Sequence, residues 1–284
     1  QEEAQEEVKE VNPALLFMAE LVQDRKRFIE SLFLIQSKDR QLVNLKLNKA
    51  QQEFSSRERS RNIIVKARQL GFSTYILADM LAEAICVPNT VCVCLSHEER
   101  ATQRLLKKVH LMYECMPQAA KAIPELAGLS AKQLCPEIHH QSAYEMTWPS
   151  VGSSFFIGTA RAPAFGRGDT IHRLHVSEVA HYPVGKAEEL LGAASQSVPM
   201  AGGRITLESN PKGRGGLFYK TYQQAKLGVE YTPFFFPWWW AEEYRLEEGA
   251  EEALEADRYT LIYTDEESAL VERHSLTAEQ IRWR

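Results

Sequence analysis

The stretch that decides the fold is Lys66-Ala-Arg-Gln-Leu-Gly-Phe-Ser-Thr74, which overlaps the end of the apolar run Asn62-Ile-Ile-Val-Lys-Ala67. The apolar run predicts a short buried strand, and the pattern from about residue 73 to residue 85 predicts a helix. A glycine turn between a strand and a helix N-terminus presents backbone N–H groups and a partial positive charge, which together suit a phosphate group. The stretch therefore predicts a phosphate-binding turn at the end of a strand.

The turn departs from the common phosphate-loop sequence G-x-x-x-x-G-K-[ST] at two positions. Lys66 stands where the first glycine belongs, and Phe72 stands where the lysine belongs. Gly71 can form the turn and Ser73 can ligate Mg²⁺, so the cation must come from Lys66 or Arg68. An ordinary strand-to-helix loop with a Ser-Thr cap is the alternative at this point.

Strands and helices alternate along the rest of the chain. Further strands are predicted at 90–95, 172–177 and 204–208, helices at 98–116, 186–195 and 217–226, a hairpin at 146–157, and one or two amphipathic helices at 13–35. The aromatic run at 234–240 predicts a strand and turn packed against the core rather than a surface that stacks bases. This alternation predicts an α/β fold with a mostly parallel sheet, whose ligands bind at the carboxyl ends of the strands.

Two further strand ends carry candidate functional residues. The strand Leu174-His-Val-Ser177 is followed by Glu178. A Walker B element has this form, with an acid at the strand tip that binds Mg²⁺ or polarises the attacking water. Ser177 occupies the position that usually holds the metal-binding aspartate. The next strand ends in Ser209 and Asn210, which could sense the γ-phosphate. An exposed glutamate and an ordinary turn are the alternatives.

A glycine-rich loop with two arginines precedes the Walker B strand, in the sequence Gly158-Thr-Ala-Arg-Ala-Pro-Ala-Phe-Gly-Arg-Gly168. Glycine lets a ligand approach the backbone closely, and the guanidinium of Arg161 or Arg167 can bind a phosphate through two hydrogen bonds. An arginine that reached the γ-phosphate of a neighbouring subunit would be an arginine finger. A surface loop with solvated arginines is the alternative.

Composition and charge narrow the class of protein. The 284 residues include 44% hydrophobic side chains and five cysteines without a C-x-x-C pair, which favours a reduced intracellular protein. The net charge of −5 divides into −4 for residues 1–10, +7 for 11–240 and −8 for 241–284. The basic central segment permits a polyanionic partner, although solvated charged faces are the commoner explanation.

Taken in order, the motifs resemble those of the ATPase domain of the large terminase subunit of tailed bacteriophages, the motor that pumps DNA into the procapsid. The resemblance runs from about residue 45 to the end of the chain. It implies an α/β fold of the RecA-like, additional-strand P-loop NTPase class, with a mostly parallel central sheet flanked by helices. N-terminal helices and a small C-terminal lid or linker would complete it. The elements that carry the resemblance are Gln51, Lys66-Ala-Arg-Gln-Leu-Gly-Phe-Ser-Thr74, Gly166-Arg-Gly168, Val176-Ser-Glu178 and Glu208-Ser-Asn210.

The resemblance also implies roles for single residues. Gln51 would contact adenine and Glu178 would activate water. Arg167 would be the arginine finger acting across subunits, with Arg161 in reserve. The remaining implied roles are nucleotide binding by Lys66, Ala67, Arg68, Gln69, Leu70, Gly71, Phe72, Ser73 and Thr74, with Arg68 and Lys66 as the Walker A cations, Mg²⁺ ligation by Ser73 and Glu178, and coupling of hydrolysis to motion by Ser209 and Asn210.

The implied activity is hydrolysis of ATP to ADP and phosphate, with Mg²⁺ as cofactor, coupled to translocation of DNA. The implied partners are double-stranded DNA, the portal protein of the procapsid, the small terminase subunit and further copies of this chain in a ring, expected to be a pentamer on the portal. The chain would act in the host cytoplasm during virion assembly, away from membranes and outside the mature virion. The alternatives are a degenerate module that binds nucleotide or DNA without turnover and a helicase-like ATPase.

Three segments are expected along the chain. Residues 1–10 would be a disordered acidic tail, 11–240 the ATPase core with its N-terminal helices, and 241–284 an acidic lid or linker toward the family's nuclease domain. The Glu-rich stretch 242–257 predicts an exposed helical face and has no strand between its acids to build a two-metal cluster. Nuclease activity is therefore not expected from this chain.

Overall fold

The computed structural model describes residues 12–142, 144–159, 170–183, 185–246 and 263–283. The strands are β1 (Leu34–Gln36), β2 (Leu42–Asn44), β3 (Arg61–Lys66), β4 (Val91–Ser96), β5 (His140–Gln141), β6 (Glu145–Trp148), β7 (Ser153–Thr159), β8 (Arg173–Ser177), β9 (Arg204–Ser209) and β10 (Thr232–Phe236). The α-helices are α1 (Pro13–Gln23), α2 (Arg25–Leu32), α3 (Lys49–Arg57), α4 (Phe72–Cys86), α5 (Glu99–Glu114), α6 (Met116–Ala120), α7 (Ala131–Leu134), α8 (Lys186–Gln196), α9 (Gly216–Lys226), α10 (Asp265–His274) and α11 (Ala278–Trp283).

The centre of the molecule is an eight-stranded sheet in the order β10-β3-β9-β8-β4-β7-β6-β5. Each neighbouring pair from β10 to β7 is parallel, whereas β6 and β5 pair antiparallel at one edge. The strands β1 and β2 form a separate antiparallel ribbon. The predicted α/β fold with a mostly parallel sheet is confirmed.

The two faces of the sheet are covered by different helices, because side chains alternate between the faces along each strand. Ile64 belongs to a large buried cluster with α4, α2 and α5. Its neighbour Ile63 belongs to a second cluster with α8 and α9. Helix α4 is buried over most of its surface, since it lies between the sheet and other helices. No α-helix among the described residues is long and apolar enough to cross a membrane.

A group of ion pairs fixes α4 at the amino ends of the strands. The Arg173 guanidinium, at the start of β8, donates hydrogen bonds to Asp79 and Glu83 of α4. Burial alone would raise the pKa of Asp79, but Arg173 and then Arg25 outweigh burial and lower it. We call this group the amino-edge cluster; its members are Arg25, Glu58, Asp79, Glu83, Arg173 and Arg204.

The helices and strands predicted from periodicity are present, most of them to within two residues. The aromatic run forms β10 and a single 3-10 turn, Trp238–Trp240, as predicted. The short ribbon β1–β2 and the helices α3, α10 and α11 were not predicted. The predicted tail 1–10 and most of the Glu-rich stretch, residues 247–257, lie outside the described residues.

Candidate functional site

Three neighbouring strands place polar side chains at their carboxyl ends, facing α4. Lys66 ends β3, Ser177 ends β8, and Glu208 precedes the last residue of β9. Ser177 and Glu208 are register partners across the β8–β9 pair. All three side chains are buried. We call the group formed by Lys66, Ser73, Ser177, Glu178 and Glu208 the strand-end cluster.

Glu208 lies at the centre of the strand-end cluster. Its Oε1 accepts hydrogen bonds from the hydroxyls of Ser73, at 2.6 Å, and Ser177, at 2.7 Å. Its Oε2 lies 2.9 Å from Lys66 Nζ, and His175 Nε2 lies 3.4 Å from Oε1. Burial alone would raise the pKa of Glu208, but Lys66, His175 and Ser73 outweigh burial and hold the pKa well below its usual range. Glu208 is therefore a fully enclosed anion.

Lys66 bridges two carboxylates, because its Nζ lies 2.9 Å from Glu208 Oε2 and 3.2 Å from Glu178 Oε1. Burial alone would lower the pKa of Lys66, but the two glutamates outweigh burial and raise it. Two carboxylates and one ammonium leave an excess negative charge. Since buried charges are normally paired or bound to metal ions, the cluster is suited to a cation from outside the chain.

The backbone directs Glu178 toward this cluster. Its φ is 56°, in the left-handed region, and this interrupts the alternation of β8 at the strand end. Glu178 Oε2 accepts hydrogen bonds from the Ser209 hydroxyl and the Asn210 N–H, each at 3.4 Å. A left-handed conformation at a non-glycine residue costs about 1–3 kcal/mol, which the contacts around Glu178 must offset. The predicted water-activating residue and the two predicted coupling residues are therefore in contact, and their roles stay predictions.

The predicted phosphate turn lies between β3 and α4. Gln69 and Gly71 have φ values of 59° and 70°. A Cβ at Gly71 would lie 2.7 Å from Gln51 Nε2, so glycine is needed here both for the conformation and for the space. The first N–H groups of α4 have no acceptor within the helix, and the helix dipole adds positive potential. This geometry suits an anion.

Gln51 supports the turn from α3. Its Oε1 accepts a hydrogen bond from the Asn48 N–H at 3.0 Å, and its Nε2 donates to the Gly71 carbonyl at 3.0 Å. The side chain is buried. These bonds give Gln51 a local role in holding the turn, and its contact with adenine stays a prediction.

Two residues of the turn direct their side chains into the core. Leu70 is 3% exposed and Phe72 is 1% exposed. The Phe72 ring stacks on Phe236, with 4.6 Å between centroids, and meets Phe54 edge to face. Only the backbone groups of Leu70 and Phe72 can therefore reach a nucleotide. The position that holds lysine in the common motif is part of the hydrophobic core in this chain.

Two cationic side chains lie near the turn. The Arg68 side chain is exposed, and its carbonyl accepts a hydrogen bond from the Tyr244 hydroxyl at 2.5 Å. Lys108 of α5 donates to the Thr74 hydroxyl at 2.8 Å. Both side chains are exposed, so either could turn toward a bound phosphate without disturbing the core.

The candidate fingers Arg161 and Arg167 lie in residues 160–169, outside the described residues. Residue 160 follows the carboxyl end of β7, and β7 is parallel to β4. The described strand β7 therefore ends at the same edge of the sheet as the strand-end cluster.

A cavity of about 980 Å³ opens beside the turn. Gln51, Gly71 and Thr74 contribute to its lining, together with Trp239 and Trp240. Aromatic and amide side chains are suited to a planar heteroaromatic base, through stacking and hydrogen bonding. The cavity borders the turn at Gly71 and Thr74.

The residues present fit Mg²⁺. The metal prefers oxygen ligands, keeps several waters, and usually binds through one or two carboxylates and substrate phosphates. Ser73 and Glu178 offer such oxygens beside the phosphate turn. Within the described ranges, no group of three or more His, Cys, Asp or Glu side chains is arranged to hold a metal. This donor set suits a metal that arrives with the nucleotide.

Sequence reasoning missed Glu208 as the centre of the cluster and Lys108 as a neighbour of the turn. A signal for Glu208 was present, because a charged residue inside an otherwise apolar strand must be paired when it is buried. No comparable signal marked Lys108. It lies on α5, far from the turn in sequence, and only the packing of α5 against α4 brings it close.

The chain has an α/β fold of the RecA-like type, with a mostly parallel central sheet flanked by helices. The chain is similar to the HK97 bacteriophage large terminase, with a TM-score of 0.57, 11% identity, and coverage of 92% of this chain and 53% of that chain. It is also similar to the ATPase domain of the large terminase of Thermus phage P74-26, with a TM-score of 0.50, 16% identity, and coverage of 68% of this chain and 80% of that chain.

These likenesses confirm the fold that the resemblance implied. Their sequence identities, 11% and 16%, are too low to carry activity or partners from one protein to another. The chain spans about half the length of the HK97 protein. No protein-family model matches the chain, and no curated protein matches it in sequence.

Proposed function

We propose that the chain is the ATP-hydrolysing motor domain of a terminase large subunit, which moves double-stranded DNA into a procapsid. The observation that carries the proposal is the strand-end cluster. Lys66 lies between Glu178 and Glu208, and Ser73 of α4 donates to Glu208. A helix N-terminus, a hydroxyl and carboxylates at one strand edge are the groups that phosphoryl transfer requires.

Each group has a distinct role in this proposal. The N-terminus of α4 binds the phosphates, and Lys66 and Arg68 supply positive charge. Ser73 and Glu178 hold Mg²⁺, which supplies charge neutralisation at the phosphate oxygens when it is bound. Glu178 also orients the attacking water. Since a dry, preorganised site strengthens such electrostatic interactions, burial of Lys66 favours this chemistry.

The contacts of Glu178 with Ser209 and Asn210 offer a route from hydrolysis to motion. These residues end β9 and lead into the segment 211–215, which carries Lys212 and Arg214. A displaced Glu178 carboxylate would release the Asn210 N–H and alter this segment. The basic side chains there could then change their contact with a polyanion such as DNA.

The motor proposal includes partners and further copies of the chain. Arg167 would complete the site of a neighbouring subunit in a ring on the portal, and the small terminase subunit would deliver DNA. The proposed ATPase core is 11–240, and 241–284 would be the lid or linker. Arg167→Ala should change ATP affinity little in the monomer and should stall the assembled motor. A large loss of affinity in the monomer would place Arg167 in its own site.

Hydrolysis of ATP by the wild-type chain and by Glu178→Gln tests the proposal. We expect turnover to fall by about 10²–10⁴-fold in the variant, while ATP binding persists, because the amide cannot act on water as the carboxylate does. The matched control is Glu188→Gln on the exposed face of α8, which should keep wild-type turnover. Unchanged turnover in Glu178→Gln would exclude this site.

A second candidate function is a module that binds nucleotide without turnover. The burial of Phe72 at the position of the usual lysine favours it, since one phosphate-binding cation is lost. Binding without hydrolysis, even after addition of procapsids and DNA, would support this alternative. Turnover that disappears in Glu178→Gln would exclude it.

A further inference from the structure

We infer that Glu208 replaces the missing Walker B aspartate and positions the Ser73 hydroxyl for Mg²⁺. The inference rests on the proposed function and adds a positioning residue to it. It explains how a chain with serine at position 177 keeps a carboxylate next to the phosphate turn.

The first observation is the geometry of the replacement. Residue 177 is the register partner of residue 208 on the adjacent strand. Glu208 reaches from there to the α4 N-terminus, and its Oε1 lies 2.6 Å from the Ser73 hydroxyl. Ser177 donates to the same Oε1 at 2.7 Å. The carboxylate therefore comes from β9 instead of β8, the strand that usually carries it. Ser177, at the usual position on β8, donates a hydrogen bond to this carboxylate.

The second observation is the direction of the hydrogen bond. A serine hydroxyl has one proton and two lone pairs. Because Ser73 donates its proton to Glu208, the lone pairs of Ser73 Oγ are free to face a cation on the side away from the sheet. A partner that accepts this proton orients a metal ligand, as outer-shell carboxylates do in metal sites.

The third observation is that burying the Glu208 carboxylate costs free energy. The carboxyl group is 0% exposed, and replacing a buried ion pair by apolar residues is often neutral or stabilising. Lys66 could remain paired with Glu178 alone, at 3.2 Å. Pairing with Lys66 alone therefore does not explain why a carboxylate is buried at position 208, whereas the need for a fixed proton acceptor for Ser73 does.

The test is the effect of Mg²⁺ on ADP affinity, measured by calorimetry in Mg²⁺ and in EDTA. In the wild type we expect Mg²⁺ to strengthen binding. In Glu208→Gln the ratio of ADP affinity in Mg²⁺ to that in EDTA should fall by about 10–100-fold, the usual effect of removing an outer-shell partner. Ser177→Asp combined with Glu208→Gln should restore the dependence, because it returns a carboxylate to the original strand.

Glu208→Asp keeps the charge next to Lys66 but shortens the reach to Ser73. Glu208→Asp therefore provides the test if Glu208→Gln does not fold. The strengthening of ADP binding by Mg²⁺ should be lost in Glu208→Asp as well. A Mg²⁺ effect of wild-type size in either single variant would overturn the inference and leave the proposed function intact. An equal loss of affinity in Mg²⁺ and in EDTA would also overturn it, since it would indicate general support of the site. A wild-type chain that binds no ADP would instead overturn the proposed function.

Discussion

The two ends of the parallel strands are built from similar side chains but differ in charge balance. The amino-edge cluster contains three arginines and three acids, paired across α4, β8 and β9. The strand-end cluster has two glutamates and one lysine. The charges of the amino-edge cluster balance one another, whereas the strand-end cluster carries one more carboxylate than ammonium.

This difference separates stability from function within one sheet. Breaking a complete buried ion pair leaves a charge without a partner, which is costly. Removing Asp79 would leave three arginines facing two acids, whereas removing Glu178 would leave Lys66 balanced by Glu208. The amino-edge cluster should therefore determine whether the chain folds, and the strand-end cluster should determine whether it hydrolyses ATP.

The sharpest test of this comparison is Asp79→Asn against Glu178→Gln. We expect Asp79→Asn to lower the free energy of unfolding by about 3–5 kcal/mol, because Arg173 loses a buried partner. Glu178→Gln should change it by less than about 1 kcal/mol, since Glu178 is partly exposed and Lys66 keeps Glu208. Urea unfolding of both variants measures the difference. Equal losses of unfolding free energy in the two variants would mean that the two clusters do not differ in their contribution to stability.

A comparable loss of stability is expected when lysine, the usual residue of the phosphate-loop motif, replaces Phe72. Phe72→Lys should destabilise the chain by about 3–5 kcal/mol, as large core truncations do, because it removes a buried ring that stacks on Phe236. The control Phe72→Leu should cost less than Phe72→Lys, because it keeps an apolar side chain in the core. If Phe72→Lys were as stable as the wild type, the lysine position would face the nucleotide instead of the core.

A smaller effect is expected at Gly71. Gly71→Ala and Gly185→Ala each place alanine at a left-handed residue before a helix, at φ values of 70° and 79°. Each should cost about 1–2 kcal/mol for the conformation. Gly71→Ala should cost more, because its Cβ would meet Gln51 Nε2 at 2.7 Å, whereas no atom of the described residues lies within 4 Å of a Cβ at Gly185. Equal losses in thermal unfolding would mean that Gln51 does not hold the turn.

The smallest effect is a pH dependence at the amino edge. The pKa of Asp79 is lowered in the folded chain, so its stabilising contribution is complete above the unfolded pKa of about 4 and is lost as pH falls below it. The difference in unfolding free energy between wild type and Asp79→Asn should therefore shrink between pH 5 and pH 3. A difference that stays constant over this range would contradict the ion pair with Arg173.

The fold was largely predictable because apolar runs and helical periodicity are local. The strand ends at Lys66, Glu178 and Ser209 follow from that pattern, and so does their place at one edge of a parallel sheet. The role of Glu208 did not follow, since it depends on the register of β8 with β9. Position 177 suggested a missing charge, and only the neighbouring strand shows that a carboxylate is present.

The most direct test of the account is steady-state ATP hydrolysis over a series of protein concentrations, with Glu178→Gln measured in parallel. We expect turnover that rises faster than linearly with protein concentration, because neighbouring subunits complete each site, and turnover about 10²–10⁴-fold lower in the variant. Turnover of equal size in wild type and Glu178→Gln at every concentration would contradict it, since hydrolysis would then not depend on the carboxyl edge of this sheet.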